Sequence, residues 1–249
     1  RYNARDVARK RGQLEGALVI LGSATPQLET YYQSVQGEGL EYESLDSRIL
    51  ERPLPTVEVV DMREEFQKHG KAVVVSDVLA RSIAQRLNDK EQVLILLNRR
   101  GYAAALLCRS CGHTESCNNC SISLPYHRHS NRLICHYCGF LRSLPKRCGV
   151  CAREYIFFLG QGTEKVQQLL GELFPGARID RMDRDTVQKK GSFQRILGAF
   201  AAGDTDILVG TQMIAKGHDF PRVTLVGVLT AEQALKMADF RAAERTFQL

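Results

Sequence analysis

The chain has 249 residues, of which 44% are hydrophobic and 25% charged, and this balance predicts a globular protein rather than a disordered one. It contains no apolar run near the ~18 residues that span a bilayer, and its polar start lacks a signal-peptide core, so we expect a cytoplasmic protein with no membrane partner. The formal net charge of +6 is compatible with nucleic acid as a partner, but it is equally common on proteins that never bind nucleic acid.

The first 97 residues predict three strands, two helices and a linker. Residues 17–21 (ALVIL) have the pattern of a buried strand that runs into the loop GSATP, and a helix is expected from Pro26 to about Tyr32. Residues 34–70 are less regular and are interpreted as a linker with one strand at TVEVVDM. Ser76 is the expected N-cap of the helix SDVLARSIAQRLND, which leads into the strand QVLILL.

Strands and helices alternate again beyond Cys151. Strands are predicted at EYIFFLG, ARIDRMD, DILVG and VTLVGVL, and helices at GTEKVQQLLGELFPG and GSFQRILGAFAAG. This alternation predicts an α/β fold with a mostly parallel sheet, in which residues 108–151 form an insertion between two strands. The chain opens on Arg1 and stops inside the helix-like run FRAAERTFQL, so we expect a fragment of a longer protein.

The eight cysteines form four CxxC pairs, separated by five, fourteen and nine residues. A CxxC turn places two thiolates at the separation that tetrahedral zinc requires, and two such turns complete a four-cysteine site. Disulfide frameworks are typical of small secreted chains, and a thioredoxin-type redox motif needs a single CxxC. The spacing therefore favours two zinc sites over either alternative.

Spacing alone leaves the pairing of these turns open. The second and third pairs are fourteen residues apart, close to the zinc-ribbon spacing of roughly 15 to 20 residues, which favours a nested arrangement over a cross-braced one. Nesting gives an inner site of Cys117, Cys120, Cys135 and Cys138 and an outer site of Cys108, Cys111, Cys148 and Cys151. His113 and His136 lie beside the turns and are alternative ligands, although eight cysteines already complete two tetrahedra.

The insertion has six basic residues against one acidic residue, Glu115. The basic residues are Arg109, Arg128, Arg132, Arg142, Lys146 and Arg147. Eight thiolates and two Zn²⁺ ions would bring its formal charge to about +1, so it is not predicted to be a strongly cationic surface as a whole. Tyr126, Tyr137 and Phe140 either stack on bases or fill a small core beside the metals.

Several short motifs occur in the order found in superfamily 2 helicases. GSATP resembles motif III, LNRRGY motif IV, GQGTEKV and RMDRDT motif IVa and its neighbour, and VGTQMIAKGHDFP motif V. The cysteine-rich insertion directly after LNRRGY, followed by DFRAAERTFQL, is similar to that of the bacterial PriA (primosomal protein N′) family of replication-restart helicases. The resemblance extends over essentially the whole chain.

The resemblance implies a domain organisation for the chain. Residues 1–33 would be the end of helicase lobe 1, and residues 34–107 the first part of a RecA-like lobe 2 with a leading linker. Residues 108–151 would be an inserted zinc-ribbon-like module with two zinc ions, and residues 152–249 the remainder of lobe 2.

The same resemblance implies an ATP-dependent 3′ to 5′ DNA helicase that recognises stalled forks and D-loops and initiates primosome assembly in replication restart. The implied cofactors are two Zn²⁺ ions, with ATP and Mg²⁺ in the intact protein. The implied partners are DNA, as forks, D-loops and single strands, together with primosome proteins and single-stranded DNA-binding protein. The implied protein is a monomer associated with the nucleoid.

Roles for individual residues follow from the resemblance as well. Ser23 and Thr25 of GSATP would couple the nucleotide state to DNA movement, and Gly217 and Asp219 would face ATP, with Asp219 among the catalytic groups. The implied DNA contacts are Tyr2, Arg5, Thr211, Gln212 and Lys216. The implied zinc ligands are the eight cysteines in the nested pairing.

The sequence also departs from a complete motor. It contains no GxxxxGK[ST] phosphate loop, no preceding acidic magnesium motif and no QxxGRAGR segment with its arginine finger, so this stretch alone is not expected to hydrolyse ATP. Two other hypotheses are a stand-alone zinc-dependent module that binds nucleic acid or protein without motor activity, and a cysteine-rich redox protein.

Overall fold

The computed structural model describes residues 2–47, 51, 53–97, 104–120, 122–127, 130–154, 156–158, 162–214, 219–231, 235 and 241–248. The chain divides into two compact units, Arg1–Pro53 and Leu54–Phe247, and the division falls within the predicted leading linker. Among the described helices, none is both long and apolar enough to cross a membrane.

The described residues of the first unit contain two helices, α1 (Ala4–Glu15) and α2 (Leu28–Gln36). The Asn3 side chain caps α1, as expected of an amide at the N-cap. Arg9 of α1 donates to the side-chain oxygen of Gln33 of α2 at 3.1 Å, so the two helices are joined by side-chain hydrogen bonds.

In the described residues of the second unit, two further helices come before the first strand, six strands follow one another, and helices and strands alternate after the sixth strand. Its elements are α3 (Met62–His69), α4 (Asp77–Asn88), β1 (Gln92–Leu97), β2 (Ala104–Cys108), β3 (Pro125–His127), β4 (Arg132–Ile134), β5 (Leu141–Ser143), β6 (Ile156–Phe158), α5 (Thr163–Leu173), β7 (Ile179–Met182), α6 (Ser192–Ala202), β8 (Ile207–Gly210), a 3-10 turn (Gln212–Ile214), β9 (Val223–Leu229) and α7 (Ala242–Phe247).

Two predicted strands are wrong. Residues 17–21 form no strand, and Leu18 and Ile20 are 89% and 84% exposed. TVEVVDM forms no strand either, and its last residue, Met62, begins α3. A parallel strand is buried only when neighbouring strands pair with it and helices cover its faces, and the described residues of the first unit include no strand.

A four-stranded parallel sheet of order β7–β8–β1–β9 forms the core of the second unit. Every residue of β1 is buried, because β1 has a strand on each side and helices over both faces. Alternate residues of β1 point to opposite faces. On one face they meet α4 and α5, and on the other they meet α6. The predicted α/β class with a parallel sheet is confirmed.

The helix that precedes β1 begins as expected. The Ser76 hydroxyl accepts the Leu79 backbone N–H at 3.2 Å, which satisfies one of the free donors at the start of α4. Ile83, in the middle of α4, is fully buried against the sheet.

A second, antiparallel sheet of order β5–β4–β3–β2–β6 carries the cysteine-rich segment. Its flanking strands β2 and β6 pair with each other, with Leu106 opposite Phe158 and Leu107 opposite Phe157. EYIFFLG was predicted as a strand of the parallel sheet, but its described part pairs antiparallel with β2 instead. β2 begins before the predicted insertion and β6 lies after it. Because these two strands pair, the antiparallel sheet extends beyond residues 108–151.

Candidate functional site

The cysteines gather into two clusters of four, and within each cluster all Sγ atoms lie within 4.8 Å of one another. The clusters consist of Cys108, Cys111, Cys148 and Cys151, and of Cys117, Cys120, Cys135 and Cys138. Of the two pairings that spacing left open, the structure therefore has the nested one.

The separation of the sulfur atoms fits a tetrahedral metal ion. Cys108 and Cys151 are 3.6 Å apart, and Cys117 and Cys138 are 3.5 Å apart. Zn–S bonds of about 2.3 Å place the sulfurs of a tetrahedral site about 3.8 Å apart, whereas a disulfide joins them at about 2.0 Å. All eight cysteines are free thiols in the structure, and a set of four soft sulfur ligands suits zinc.

The four CxxC turns share one backbone pattern. In each, the N–H of the first cysteine donates to the carbonyl five residues later, at 2.7 to 2.9 Å. In three turns the residue after the second cysteine donates back to the first cysteine and has a positive φ: Gly112 (77°), Gly139 (72°) and Ala152 (56°). The repeated hydrogen bonds hold each pair of sulfurs on one side of its turn.

Hydrogen bonds and burial shift the pKa values of the cysteine thiols in different directions. The Phe140 N–H lowers the pKa of Cys138 to about 6, and the Arg153 N–H lowers the pKa of Cys151 to about 7. A hydrogen bond with Cys138, together with burial, raises the pKa of Cys120 to about 12. Four neighbouring thiolates repel one another, so a divalent cation would be needed to keep all four charged at neutral pH.

The two histidines considered as alternative ligands lie outside both clusters. His113 Nε2 is 3.7 Å from Glu115 Oε1, and His136 Nε2 is 2.8 Å from His127 Nε2. Among the described residues, each cluster therefore consists of four cysteine sulfurs without a histidine.

Two of the three aromatic side chains in the insertion belong to its core. Tyr126 and Phe140 pack against buried Leu124 and Leu133 beside the inner cluster. Tyr137, by contrast, is exposed. Core filling is therefore the correct interpretation for Tyr126 and Phe140, while stacking on bases stays a prediction for Tyr137.

The polar residues after β8 lie at the carboxyl edge of the parallel sheet, where α/β proteins bind ligands. The Thr211 N–H donates to the Met182 carbonyl at 3.4 Å, and Gln212 begins the 3-10 turn. Asp219 is exposed. The predicted Gly217 and Lys216 lie outside the described residues.

The remaining predicted residues belong to the first compact unit. The Ser23 hydroxyl accepts the Thr25 N–H at 3.1 Å, which closes a small turn in GSATP. Tyr2 is 97% exposed. Arg5 donates from Nη1 to the Thr30 hydroxyl at 2.9 Å, so its guanidinium already holds α1 against α2.

Sequence reasoning missed a buried carboxylate that links two of the quoted motifs. Asp183 of RMDRDT accepts the hydroxyl of Thr163, from GQGTEKV, and the N–H groups of Asp185 and Thr186 at 3.0 Å each. Burial opposes the charge of Asp183, but these hydrogen bonds and Arg181 outweigh it and lower its pKa. The sequence signalled it only weakly, by a Thr in GQGTEKV and an Asp in RMDRDT.

A second buried carboxylate, Glu115, was counted only as an isolated negative charge. It is buried inside the insertion and its Oε2 lies 2.7 Å from Arg142 Nη1. Charge counting could not find this pair, because the two residues are far apart in sequence and on different segments.

Comparison with known proteins found similarity to PriA replication restart proteins. Residues 117–142, which include the whole inner cluster, match a family model described as the PriA DNA helicase Cys-rich region (CRR) domain. The full chain is 47% identical to the replication restart protein PriA of Bacillus subtilis and covers 31% of that protein. It is 41% identical over 99% of its length to PriA of Synechocystis sp., covering 30% of that protein, and 41% identical over its whole length to PriA of Chlamydia pneumoniae, covering 33%. The chain thus spans about a third of the length of the curated relatives it matches.

Proposed function

Because this chain belongs to the PriA family of replication restart proteins, we propose that it is part of an ATP-dependent 3′ to 5′ DNA helicase that recognises stalled forks and D-loops and initiates primosome assembly. The observation that carries this proposal is the 38–47% identity to proteins of that name over the full chain. The match extends well beyond the cysteine segment, which argues against a stand-alone zinc module.

The domain organisation is part of the proposal. The parallel sheet would be the core of a RecA-like lobe 2, built from residues 34–107 and 152–249, and residues 1–33 would be the end of lobe 1. Buried apolar strands between helices support this interpretation of the second unit. ATP and Mg²⁺ would be bound by the intact protein.

Each four-cysteine cluster would hold one structural Zn²⁺ ion. A zinc ion with four thiolate ligands has no open position, so it would supply folding free energy rather than Lewis-acid chemistry. The short sulfur–sulfur distances and the shared backbone pattern of the turns support this role. The module would then be a rigid element attached to lobe 2.

The motor residues would act at the sheet edge. Thr211, Gln212 and Lys216 would contact the DNA backbone, and Gly217 and Asp219 would face ATP. The position of Thr211 and Gln212 directly after β8, at the edge where such sheets bind ligands, supports this assignment.

The first unit would contribute the remaining contacts. Ser23 and Thr25 would couple ATP hydrolysis to DNA movement, and Tyr2 and Arg5 would contact DNA. The exposed ring of Tyr2 supports a stacking role, since every base offers a face to an aromatic side chain.

The partners of the intact protein would be DNA forks, D-loops and single strands, primosome proteins and single-stranded DNA-binding protein. We further propose that it acts as a monomer on the nucleoid in the cytoplasm. Replication restart, named in the relatives, takes place on chromosomal DNA and supports this location.

The first test is DNA-stimulated ATP hydrolysis by the full-length protein with forked and linear DNA. Thr211→Ala should raise the DNA concentration needed for half-maximal stimulation about tenfold, because a backbone contact is lost. Thr224→Ala is the matched control, since Thr224 lies at the opposite, amino end of β9 and donates to Glu91. Thr224→Ala should leave stimulation unchanged.

Three outcomes would contradict the proposal or the role assigned to Thr211. Equal stimulation by Thr211→Ala and wild-type protein would exclude the assigned DNA contact. A fall in thermal stability as large as that of a core substitution would make Thr211 structural instead. Absence of ATP hydrolysis with every DNA would contradict the helicase itself.

A further inference from the structure

Glu115 lies on the short link between the two cysteine clusters. Residues 112–116 join Cys111 of the outer cluster to Cys117 of the inner cluster, and Glu115 is 3% exposed despite its charge. Its carbonyl accepts the Leu124 N–H at 2.9 Å, which fixes the link against the segment leading into β3. A carboxylate is therefore buried at the junction of the two sites.

The side chain of Glu115 contacts the framework of both clusters. Its Oε2 lies 2.7 Å from Nη1 of Arg142 on β5. Arg142 is paired with Leu133 of β4, and β4 leads into Cys135 of the inner cluster. Its Oε1 lies 3.7 Å from His113 Nε2. The His113 carbonyl accepts the Cys108 N–H at 2.8 Å, within the first turn of the outer cluster.

Burial makes this carboxylate depend on its partners. A buried charge is costly unless it is paired, and removal of one partner leaves the other uncompensated. Arg142 is held in place by the pairing of β5 with β4, which the inner metal would order. If loss of the inner metal disorders this pairing, Arg142 would no longer neutralise Glu115, and the link that carries both Glu115 and the outer turn would be destabilised.

We propose that Glu115 is a positioning residue that couples the two metal sites, so that a metal ion in one site raises the affinity of the other. The inference rests on the proposed binding of two metal ions. The effect is reciprocal, since linkage requires each site to favour the other by the same factor, and we expect a factor of about ten.

The experiment titrates metal-free full-length protein with Co²⁺, whose absorption bands report four-sulfur coordination. Cys108→Ser/Cys111→Ser leaves the inner site alone, and Cys117→Ser/Cys120→Ser leaves the outer site alone. The association constants of the two single-site variants are multiplied. This product is compared with the overall association constant of wild-type protein for two ions. The overall affinity should exceed the product about tenfold.

Glu115→Gln should reduce that factor to about one, because the neutral amide keeps the shape of the side chain but not the charge pair. Glu154→Gln is the matched control, because Glu154 follows the last turn of the outer cluster but is 71% exposed and pairs with the exposed Arg147. Glu154→Gln should keep the wild-type factor.

The outcomes separate the coupling from metal binding itself. If no Co²⁺ binds to the wild-type protein, the proposed metal sites fail as well. If two ions bind with a factor near one, the sites are independent and the coupling is overturned, whatever the variants do. If Glu115→Gln weakens both single sites equally and leaves the factor unchanged, Glu115 is structural only.

Discussion

The turn at Cys148 and Cys151 has a residue in an unfavourable conformation. Ala152 has a φ of 56°, at the position where two other turns have glycine, Gly112 and Gly139. The left-handed region costs a residue with a Cβ about 1 kcal/mol. Only glycine adopts it without that cost.

Ala152→Gly should therefore increase the free energy of unfolding of the metal-loaded protein by about 0.5 to 1 kcal/mol. Gly112→Ala should decrease it by a similar amount, and its new Cβ would meet only the Arg63 side chain, at an ordinary contact distance of 3.6 Å. Urea unfolding measures both changes. If both substitutions destabilise the protein, backbone strain at Ala152 is not the determining factor.

Gly210 is required by close packing rather than by its φ. A Cβ at this position would lie 2.8 Å from the Met182 carbonyl oxygen and 2.7 Å from Ile214 Cδ1. Gly210→Ala should therefore destabilise the second unit by about 1 to 3 kcal/mol, as overpacking does. Gly171→Ala in α5, which has open space around it, should be neutral or slightly stabilising. Equal losses in urea unfolding would contradict this account.

Asp206 should make stability depend on acid pH. The Arg178 side chain hydrogen-bonds Asp206, Nη2 to Oδ1 at 2.6 Å, and lowers its pKa below the ordinary value near 4. A lowered folded-state pKa stabilises the fold fully above the unfolded value, and that stabilisation is lost as pH falls through the folded value.

We therefore expect Asp206→Asn to lower the free energy of unfolding by about 1 to 2 kcal/mol at pH 7, the usual contribution of a charged hydrogen bond. The loss should be smaller below about pH 4. Unfolding of wild-type protein and Asp206→Asn at the same pH values across this range measures the difference in their free energies of unfolding. Any loss of metal at acid pH affects both proteins and cancels in that difference. Asp204→Asn, at an exposed neighbouring carboxylate, is the control. A difference between wild-type and Asp206→Asn that does not change with pH would contradict the prediction.

At the scale of elements, the sheet and its helices were largely predictable from local pattern. QVLILL and DILVG are apolar runs bounded by polar residues or glycine, and both are buried strands of the parallel sheet. ALVIL has the same pattern but forms no strand, because burial of a strand depends on neighbours that a local pattern does not contain. The charged helix α1 was missed, since its sequence has no apolar stripe.

The antiparallel sheet of the cysteine segment should unfold separately from the parallel sheet. Cys117 belongs to the inner cluster and to the small core beside it. If zinc binding supplies about 10 to 16 kcal/mol of the folding free energy at a structural site, Cys117→Ala should unfold β3, β4 and β5 and leave β1 and β8 folded.

Hydrogen exchange would test this in the full-length protein. Amides of β3–β5 should lose protection in Cys117→Ala, while amides of the parallel sheet keep it. Ser116→Ala, at the exposed neighbouring residue, should change neither. Loss of protection throughout the second unit would show that the two sheets fold as one.

At the scale of the whole molecule, spacing and motif order predicted which residues form the site better than they predicted how those residues are arranged. CxxC spacing favoured the nested clusters but could not exclude cross-bracing, which depends on how β2 to β6 pair. The buried partners Glu115 and Asp183 were not predictable, because their environments are made by residues distant in sequence. The roles of Thr211, Gln212 and Asp219 remain predictions that only the full-length protein can test.

The pairing of β2 with β6 means that the cysteine-rich segment departs from and returns to one place. Leu107 and Phe157 are partners in the backbone register of this pair, so a two-residue turn could join them directly. We therefore expect that the segment can be removed, exchanged for that of a relative or grafted into another hairpin without shifting the parallel strands. Comparison of such chimaeras would separate the contribution of the segment from that of the parallel sheet.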